Sequence, residues 1–362
     1  MNNRSHRDKS TILMNTRVLK STLTGFQRYV AELVGRLGDR VHTINPRRDL
    51  SRSMGNAWEQ FVLPNAARGK FLFSPANTGP LSVSNQVVTI HDVAPLERSF
   101  YGEELNANID LKARTWYQFL TSRLVKRAVH VITISEFSKQ RLMENTGLAA
   151  DRVTVIPNGV DKRFAPFPKA ELSDKLSNLQ LPCLHYILCV GSLEPRKNLA
   201  RLLQAWSQIQ PEVPDDVWLV LTGKKGNDRV FANDVALSRL PSRVHLTGHV
   251  PDDALPALYA GALVFAFPSV YEGFGLPPLE AMASGVPVLT GNRTSLPEVV
   301  GDAGVMVDPY DVEAIAQGLR RLIEDSALRP QLRAKGLERA RMFTWEKTAE
   351  QTWGILEEAA GG

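Results

Sequence analysis

The sequence predicts an α/β protein built from two parallel-sheet domains, and three observations carry that prediction. Strand-like and helix-like patterns alternate along the whole chain, as parallel sheets with crossover helices require. Residues 161–182, rich in Pro, Lys and Ser, interrupt the alternation and read as a linker, and a new apolar strand pattern starts directly after them. The 362 residues are enough for two domains that each bury a core.

In the first half, TILMN reads as a strand and RVLKSTLTG as a polar loop ending at Gly25. FQRYVAELVGRL follows as a helix with Phe26, Tyr29, Val30 and Leu33 on one face. FLFSP and QVVTIHD are strands, residues 110–128 a helix, and HVITI a further strand. Ser135 is placed to cap the helix EFSKQRLMENTG. RVTVIPNGV closes the set, with a turn at Pro157, Asn158 and Gly159. The second half restarts with HYILCVG; VWLVLTG, RVHLTGHV, ALVFAFP and VPVLTG are its further strands, and TWEKTAEQTWGILEEA is the last helix. The expected divisions are residues 1–160, 161–343 and 344–362. Two such units with a hinge place a ligand in the cleft between them, at the C-terminal ends of the strands.

Apolar residues make up 43% and charged residues 22%, the balance of a soluble globular protein. No run of about 18 apolar residues is long enough to span a bilayer, and the basic start MNNRSHRDKS leads into no signal-like apolar core. A cytoplasmic location is therefore expected, with peripheral contact at the inner face of the membrane as an extension of it. Cys183 and Cys189 are the only cysteines; both read as small core hydrophobes, without a disulfide framework or a thiolate metal site. The net charge of +5 suits an anionic partner. No basic tract interleaved with aromatics is present, so nucleic acid is not expected. Residues 110–128 combine Leu111, Trp116, Tyr117, Phe119, Leu120 and Leu124 with Lys112, Arg114, Arg123, Lys126 and Arg127. That pattern reads either as an amphipathic helix for an anionic membrane surface and the acceptor, or as a core-packed helix with a solvated basic face.

The stretch with the most chemistry is PSVYEGFGLPPLEAMASGVPVLT, residues 268–290, in which Glu272 and Glu280 stand eight apart around a turn leading into a helix. Gly273 and Gly275 permit close backbone approach, Pro277 and Pro278 suit a first helical turn, and the unpaired N–H groups there make an anion site. With Phe274 and Leu276 they form the expected donor-binding stretch. Glu272 then lies beside the anion and Glu280 about one turn into the helix, so the two carboxylates reach different parts of one ligand, a nucleotide diphosphate sugar. The bland alternative is a strand, a turn and a helix with two solvated glutamates.

This stretch strongly resembles the Glu-x7-Glu signature of retaining glycosyltransferases of family 4. WEQFVLP, FSPANTGPL, TIHDVAPLE, TISEFSKQRL and VGSLEPRKN resemble further pieces of that family in the expected order. The resemblance implies the GT-B fold: two Rossmann-like domains facing each other across a deep cleft, the first for the acceptor, the second for the nucleotide sugar, and a last helix crossing back to the first. It implies that GSLEPRKN, residues 191–198, is a phosphate loop in which Arg196 and Lys197 meet the leaving diphosphate. Relatives often carry a cation where Ser192 stands, a departure for which Arg196 is the candidate substitute. Gly25 resembles the glycine loop under the donor diphosphate. His91 would line the reaction centre, hydrogen-bonding a sugar hydroxyl or donating to the leaving group, with Asp92 holding the loop or the imidazole; a satisfied histidine capping a strand is the alternative. Gly248, His249 and Val250 resemble the backbone that reads the nucleobase, Lys224 and Lys225 sit near the same edge, and Glu298 is read as structural. Asp215–Asp216 and Asp252–Asp253 lie in no Asp-x-Asp loop, so no metal or other cofactor is expected.

By the same resemblance the transfer retains configuration: the acceptor attacks from the face the nucleotide leaves. Glu272 orients sugar hydroxyls and balances the positive ring, Glu280 binds the ribose, and Lys197 with Arg196 holds the diphosphate. The motifs look most like bacterial mannosyltransferases of surface polysaccharide, O-antigen or exopolysaccharide, which implies GDP-mannose as donor and a lipid-linked saccharide or oligosaccharide as acceptor. A UDP-sugar donor, a non-catalytic nucleotide-sugar-binding partner, an epimerase and a phosphorylase are the alternatives. A dinucleotide oxidoreductase is disfavoured, because no Gly-x-Gly-x-x-Gly follows the first strand.

Overall fold

Among the described residues, two parallel sheets, each of six strands, organise the protein. The computed structural model describes residues 12–20, 25–91, 93, 111–177, 179–182, 185–192, 194–223 and 240–361. They fall into two compact units, one drawn from residues 12–159 together with the final helix from Trp345, the other from Val160–Thr344.

The first unit holds β1 (Ile12–Asn15), β2 (His42–Ile44), β3 (Phe71–Ser74), β4 (Gln86–Ile90), β5 (His130–Thr133) and β6 (Val153–Val155), in the order β2-β1-β3-β4-β5-β6. Helix α1 (Gly25–Leu37) joins β1 to β2. Helices α2 (Arg52–Ala57) and α3 (Leu63–Ala66), with a π-helical turn at Trp58–Val62 between them, join β2 to β3. Helices α4 (Leu111–Arg127) and α5 (Glu136–Thr146) flank β5. Strands β1, β3 and β4 are buried along their whole length, as expected where helices cover both faces of a parallel sheet. Ser135 caps α5 by accepting the Ser138 N–H at 3.1 Å, and Gly147, at φ 70°, ends that helix.

The second unit holds β7 (His185–Val190), β8 (Val217–Thr222), β9 (Val244–Gly248), β10 (Val264–Phe267), β11 (Val288–Gly291) and β12 (Gly304–Val307), in the order β12-β11-β10-β7-β8-β9. Its helices are α6 (Lys169–Ser177), α7 (Leu199–Ile209), α8 (Leu255–Ala260), α9 (Leu276–Ala283), α10 (Leu296–Val300), α11 (Val312–Glu324) and α12 (Leu328–Ala340). Trp206 of α7 and Leu319 of α11 pack with Ile187, Leu219 and Leu289 into one core layer. Helix α13 (Trp345–Gly361) joins the first unit. Its Trp345, Ala349 and Leu356 share a core with Tyr29 and Leu33 of α1. Arg36 and Arg40 of α1 pair with Glu346 and Glu350 at 3.5 and 2.9 Å.

Several sequence readings are corrected. Arg17–Lys20 is a 3-10 turn inside the expected loop. The strands β2 and β12 were not anticipated: one is three residues with no buried face, the other a partly buried run starting at glycine. Residues 161–182 are not a free linker. Phe164 is buried edge-on against Tyr259 at 5.4 Å, Arg163 donates to the Asp252 carbonyl at 2.9 Å, and α6 forms within the segment. No turn forms at Pro157–Gly159; the Pro157 carbonyl accepts Thr348 Oγ1 at 2.7 Å instead.

Each strand order fixes where a ligand crevice lies. In the second sheet the chain leaves β7 toward β8 on one side and leaves β10 toward β11 on the other, so the carboxyl ends of neighbouring β7 and β10 form a switch point. In the first sheet β1 and β3 stand in the same relation.

Candidate active site

The loop after β7 and the loop after β10 meet at the second sheet's switch point. Pro195–Lys197 forms a 3-10 turn, and Asn198, at φ 60°, turns the chain into α7. Asn198 Nδ2 donates to the carbonyls of Pro268 at 3.0 Å and Pro309 at 2.5 Å, clipping the two strand ends together. Lys197, 6% exposed, donates to Glu272 Oε1 at 2.5 Å, and its Nζ lies 4.6 Å from the Phe267 ring centroid. Arg196 Nη1 donates to Glu272 Oε2 at 3.1 Å and its Nε to Glu194 Oε2 at 2.8 Å. The Ser269 hydroxyl lies 2.7 Å from Glu272 Oε1 and 2.8 Å from the Arg196 carbonyl, with one proton to give.

This cluster is buried yet strongly charged, and its balance can be read from its members. Burial alone would raise the Glu272 carboxyl, but Lys197 and then Arg196 outweigh it and hold the group below the usual carboxylate range. Lys197 is displaced downward, first by burial and then by the Arg196 charge, with Glu272 pulling it back up. Two cations thus share Glu272. Burying charge is favourable only when it is paired, and here Lys197 has Glu272 and Arg196 has both Glu272 and Glu194.

The turn between Glu272 and α9 is built for close approach. Gly275 has φ 115°, and a Cβ there would meet Leu296 at 2.9 Å, so only glycine fits. Thr294 Oγ1 accepts the Glu272 N–H at 3.2 Å, and Ser295 Oγ lies 2.9 and 2.7 Å from the Glu272 and Phe274 carbonyls. Pro277 and Pro278 occupy the first turn of α9. Glu280 is 6% exposed and accepts Tyr259 Oη at 2.9 Å. The Phe274 ring packs edge-on to Phe343, 5.8 Å away, while Gly273 and Leu276 are half-exposed. Neither glutamate is a solvated surface residue.

The remaining sequence candidates are distributed as follows. Gly248 is exposed at φ 71°, and its carbonyl accepts the Gly223 N–H at 2.9 Å; His249 is exposed and the Val250 side chain is buried. Glu298 stands in the first turn of α10, where its carbonyl accepts Arg339. Lys224, Lys225, Asp92 and Cys183 lie outside the described residues. Cys189 is buried in β7, where burial raises its thiol to about 12. Gly25 opens α1 in the first unit and is exposed.

His91 follows β4 of the first unit and is 7% exposed. Its Nε2 lies 2.7 Å from the Pro75 carbonyl, its ring stands edge-on to Tyr29 at 4.5 Å, and its N–H donates to Asn77 Oδ1 at 2.6 Å. Burial pushes its pKa down to about 4, so the ring is neutral, with Nε2–H given to Pro75. Nδ1 is then an acceptor. With Pro75, Tyr29 and Asn77 around it, His91 has the surroundings of a satisfied histidine at a strand end.

Helix α4 does not gather its apolar residues on one face. Thr121, Leu124 and Val125 are buried, whereas Phe119 is 41% exposed with Arg123 over its ring at 4.0 Å. Positions 119 and 124 are five apart and point about 140° from each other on a helix. Lys126 and Arg127 are exposed and Tyr117 is half-buried; the side chains of Lys112, Arg114 and Trp116 lie outside the described residues. No helix of the described residues is long and apolar enough to cross a membrane.

A family model described as Glycosyl transferases group 1 matches residues 184–339, the stretch that contains Lys197, Glu272 and Glu280. A second, described as Glycosyltransferase Family 4, matches residues 81–164. The chain belongs to glycosyltransferase family 4. Relatives of the chain include O-antigen chain mannosyltransferase B of Escherichia coli, 40% identical over 61% of this chain and 58% of that protein. The serotype-specific mannosyltransferase WbdA, also of Escherichia coli, is 35% identical over 73% of this chain and 32% of its own length. The chain thus spans just under three-fifths of the first relative and just under a third of the second. Solved structures with the same fold include sucrose-phosphate synthase of Thermosynechococcus elongatus (TM-score 0.76, 22% identity, 96% of this chain and 98% of that one). HepE of Anabaena in complex with UDP-glucose gives a TM-score of 0.75 at 18% identity, over 96% of this chain and 100% of its own. At these identities the likeness establishes the fold, which is the GT-B class.

Asn198, Ser269, Tyr259, Thr294 and Ser295 were missed in the sequence. Asn198 had a signal, since asparagine before a helix tolerates positive φ. The other four are ordinary residues that acquire their roles by proximity.

Proposed function

We propose that this chain is a retaining hexosyltransferase that moves mannose from GDP-mannose to a lipid-linked or oligosaccharide acceptor in polysaccharide biosynthesis, without a metal ion. The observation that carries the reading is the buried Lys197–Glu272 pair with Arg196 at the β7/β10 switch point, beside the glycine turn into α9. A diphosphate would take over the two cations that Glu272 and Glu194 pair in the free protein, and Lys197 and Arg196 would hold its charge as the glycosidic bond breaks. Glu272, released from Lys197, would orient sugar hydroxyls and offset the positive ring, and Glu280 would take the ribose hydroxyls. Mannose as the sugar is supported by the printed names of the relatives, both mannosyltransferases. UDP-sugars form the second reading, favoured by the HepE structure, which holds UDP-glucose. The exposed basic end of α4, with Phe119, would rest on an anionic membrane surface.

The test is calorimetric titration of the purified protein with GDP, UDP and ADP in excess chelator, followed by GDP-mannose with α-linked mannobiose and the anomeric configuration read by NMR. Tight GDP binding and an α-linked product are expected. Binding of UDP alone moves the donor, a β-linked product removes the retaining mechanism, and binding of none of the three nucleotides overturns the proposal.

A further inference from the structure

Thr294 stands at φ 60°, and among the described residues it is the only β-branched one at positive φ. Asn77 and Asn198, at φ 63° and 60°, carry a residue type that the left-handed region tolerates. A side chain branched at Cβ is crowded there by its own backbone. Such a conformation costs free energy and persists only where its surroundings hold it, and it clusters at functional sites.

The hydroxyl of Thr294 has a definite use. Oγ1 accepts the Glu272 N–H at 3.2 Å and donates to the Arg293 carbonyl at 2.7 Å, so its one proton is committed and a lone pair is left for Glu272. Buried Ser295 follows, with Oγ 2.9 and 2.7 Å from the carbonyls of Glu272 and Phe274. The main chain of the turn thus hangs on the loop after β11. The Glu272 carboxylate is gripped instead by Lys197 and Arg196, on the loop after β7. Strand β10, which leads into Glu272, lies between β7 and β11. Glu272 is therefore held from both sides, its side chain by one neighbouring strand end and its main chain by the other. Gly291, the last residue of β11, permits this approach, since a Cβ there would lie 2.6 Å from the Ser269 carbonyl.

These two holds part company when a ligand arrives. Under the proposed function, on which this assignment rests, Glu272 gives up Lys197 to meet the sugar. The ion pair then no longer places it. We infer that Thr294 is a positioning residue for Glu272, and that the loop after β11 keeps a strained backbone so that the threonine hydroxyl fixes the Glu272 main chain while its carboxylate changes partners. Glycine would take the same φ without strain but has no hydroxyl; serine keeps the hydroxyl and sheds the branch. Displacing a reacting group by about 1 Å costs up to about 10² in rate. Nucleotide affinity depends on Lys197 and Arg196, on the other loop, and should change little.

The experiment compares Thr294→Ser, Thr294→Ala and Thr294→Gly with the wild type in urea unfolding, GDP calorimetry, and transfer from GDP-mannose to α-linked mannobiose. UDP and UDP-glucose replace the guanosine ligands if UDP is the nucleotide bound. The alanine and glycine variants both lack the hydroxyl, so their order reports the backbone alone. Glycine is ordinarily the less stable of the two; here it should unfold at the higher urea midpoint. The serine variant should keep kcat within about twofold, while alanine and glycine each lose about tenfold or more, with donor KM and GDP affinity within about threefold. Hydrogen exchange at the Glu272 amide, read by NMR without substrate, should be about tenfold faster in both than in the serine variant. A higher midpoint for alanine than for glycine removes the strain and overturns the inference. So does wild-type kcat in a folded glycine variant, unchanged exchange at the Glu272 amide, or a loss of kcat in the serine variant equal to that in alanine. A wild type that binds no nucleotide and transfers no sugar removes the proposed function instead, and the midpoint order and the amide exchange still decide whether Thr294 holds the Glu272 main chain under strain.

Discussion

Replacing Glu272 by glutamine separates the two jobs its carboxylate performs. In the free protein it neutralises Lys197 at 2.5 Å and Arg196 at 3.1 Å. Breaking a buried pair costs about 3–5 kcal/mol. Glu194 still partners Arg196 in the variant, so a loss at the lower end, about 3 kcal/mol, is expected. Nucleotide binding should move the other way. A carboxylate about 6 Å from a bound phosphate, at an effective dielectric near 20, opposes it by about 3 kcal/mol. Salt and partial exposure reduce this to about 1–2 kcal/mol, or roughly a 5–30-fold gain in affinity when the charge is removed. Glu272→Gln should therefore melt lower, bind GDP (or UDP, if that is the donor nucleotide) more tightly, and turn over about 10²–10³-fold more slowly. Calorimetric titration at constant salt, denaturant unfolding and a transfer assay measure the three. Nucleotide affinity equal to or weaker than that of the wild type, in a folded variant, refutes the reasoning that Glu272 screens the cations from the diphosphate.

Tyr259→Phe leaves the buried Glu280 carboxylate without the phenol it accepts at 2.9 Å, which should cost about 1.5–3 kcal/mol in urea unfolding; an unchanged midpoint means the phenol adds nothing there. Gly275→Ala meets both the φ of 115° and the 2.9 Å contact with Leu296. It should lose about 2 kcal/mol or more and weaken GDP in calorimetry, whereas wild-type affinity would show the turn to be dispensable. His91 binds its proton at about 4 in the fold against 6.5 ordinarily. The unfolded chain therefore holds more protons between those values, so the stability due to neutral His91 is complete above about pH 6.5 and drains away as pH falls toward 4. The wild type should lose about 2 kcal/mol between pH 7 and pH 5 from this group. His91→Asn should lose that much less in the same denaturation series, and identical slopes would reject the assignment.

Strand-forming segments and the charged motifs were legible because both are local. FLFS and QVVTI are mostly apolar, and buried along their whole length, because helices cover both sheet faces, and the glycine turn before α9 is written in consecutive residues. Ser135 and Gly147 likewise mark the ends of α5 by their own backbone chemistry. Strands such as β2 escaped because three residues with no buried face carry no period to detect. Phe119 and Leu124 were grouped by composition although helical geometry sets them apart.

By itself the sequence determined the alternation of elements, the GT-B class through its motifs, and the residue types at the donor loops. Only the tertiary structure decided that Lys197 and Glu272 are one buried pair, that Asn198 ties two strand ends, that His91 is a neutral acceptor, and that Thr294 accepts the Glu272 N–H. The physical reason is separation along the chain. Residues 75 apart, as in Lys197 and Glu272, are brought together by strand order, and strand order is set by the packing of whole helices and sheets rather than by any pattern a short window of sequence contains.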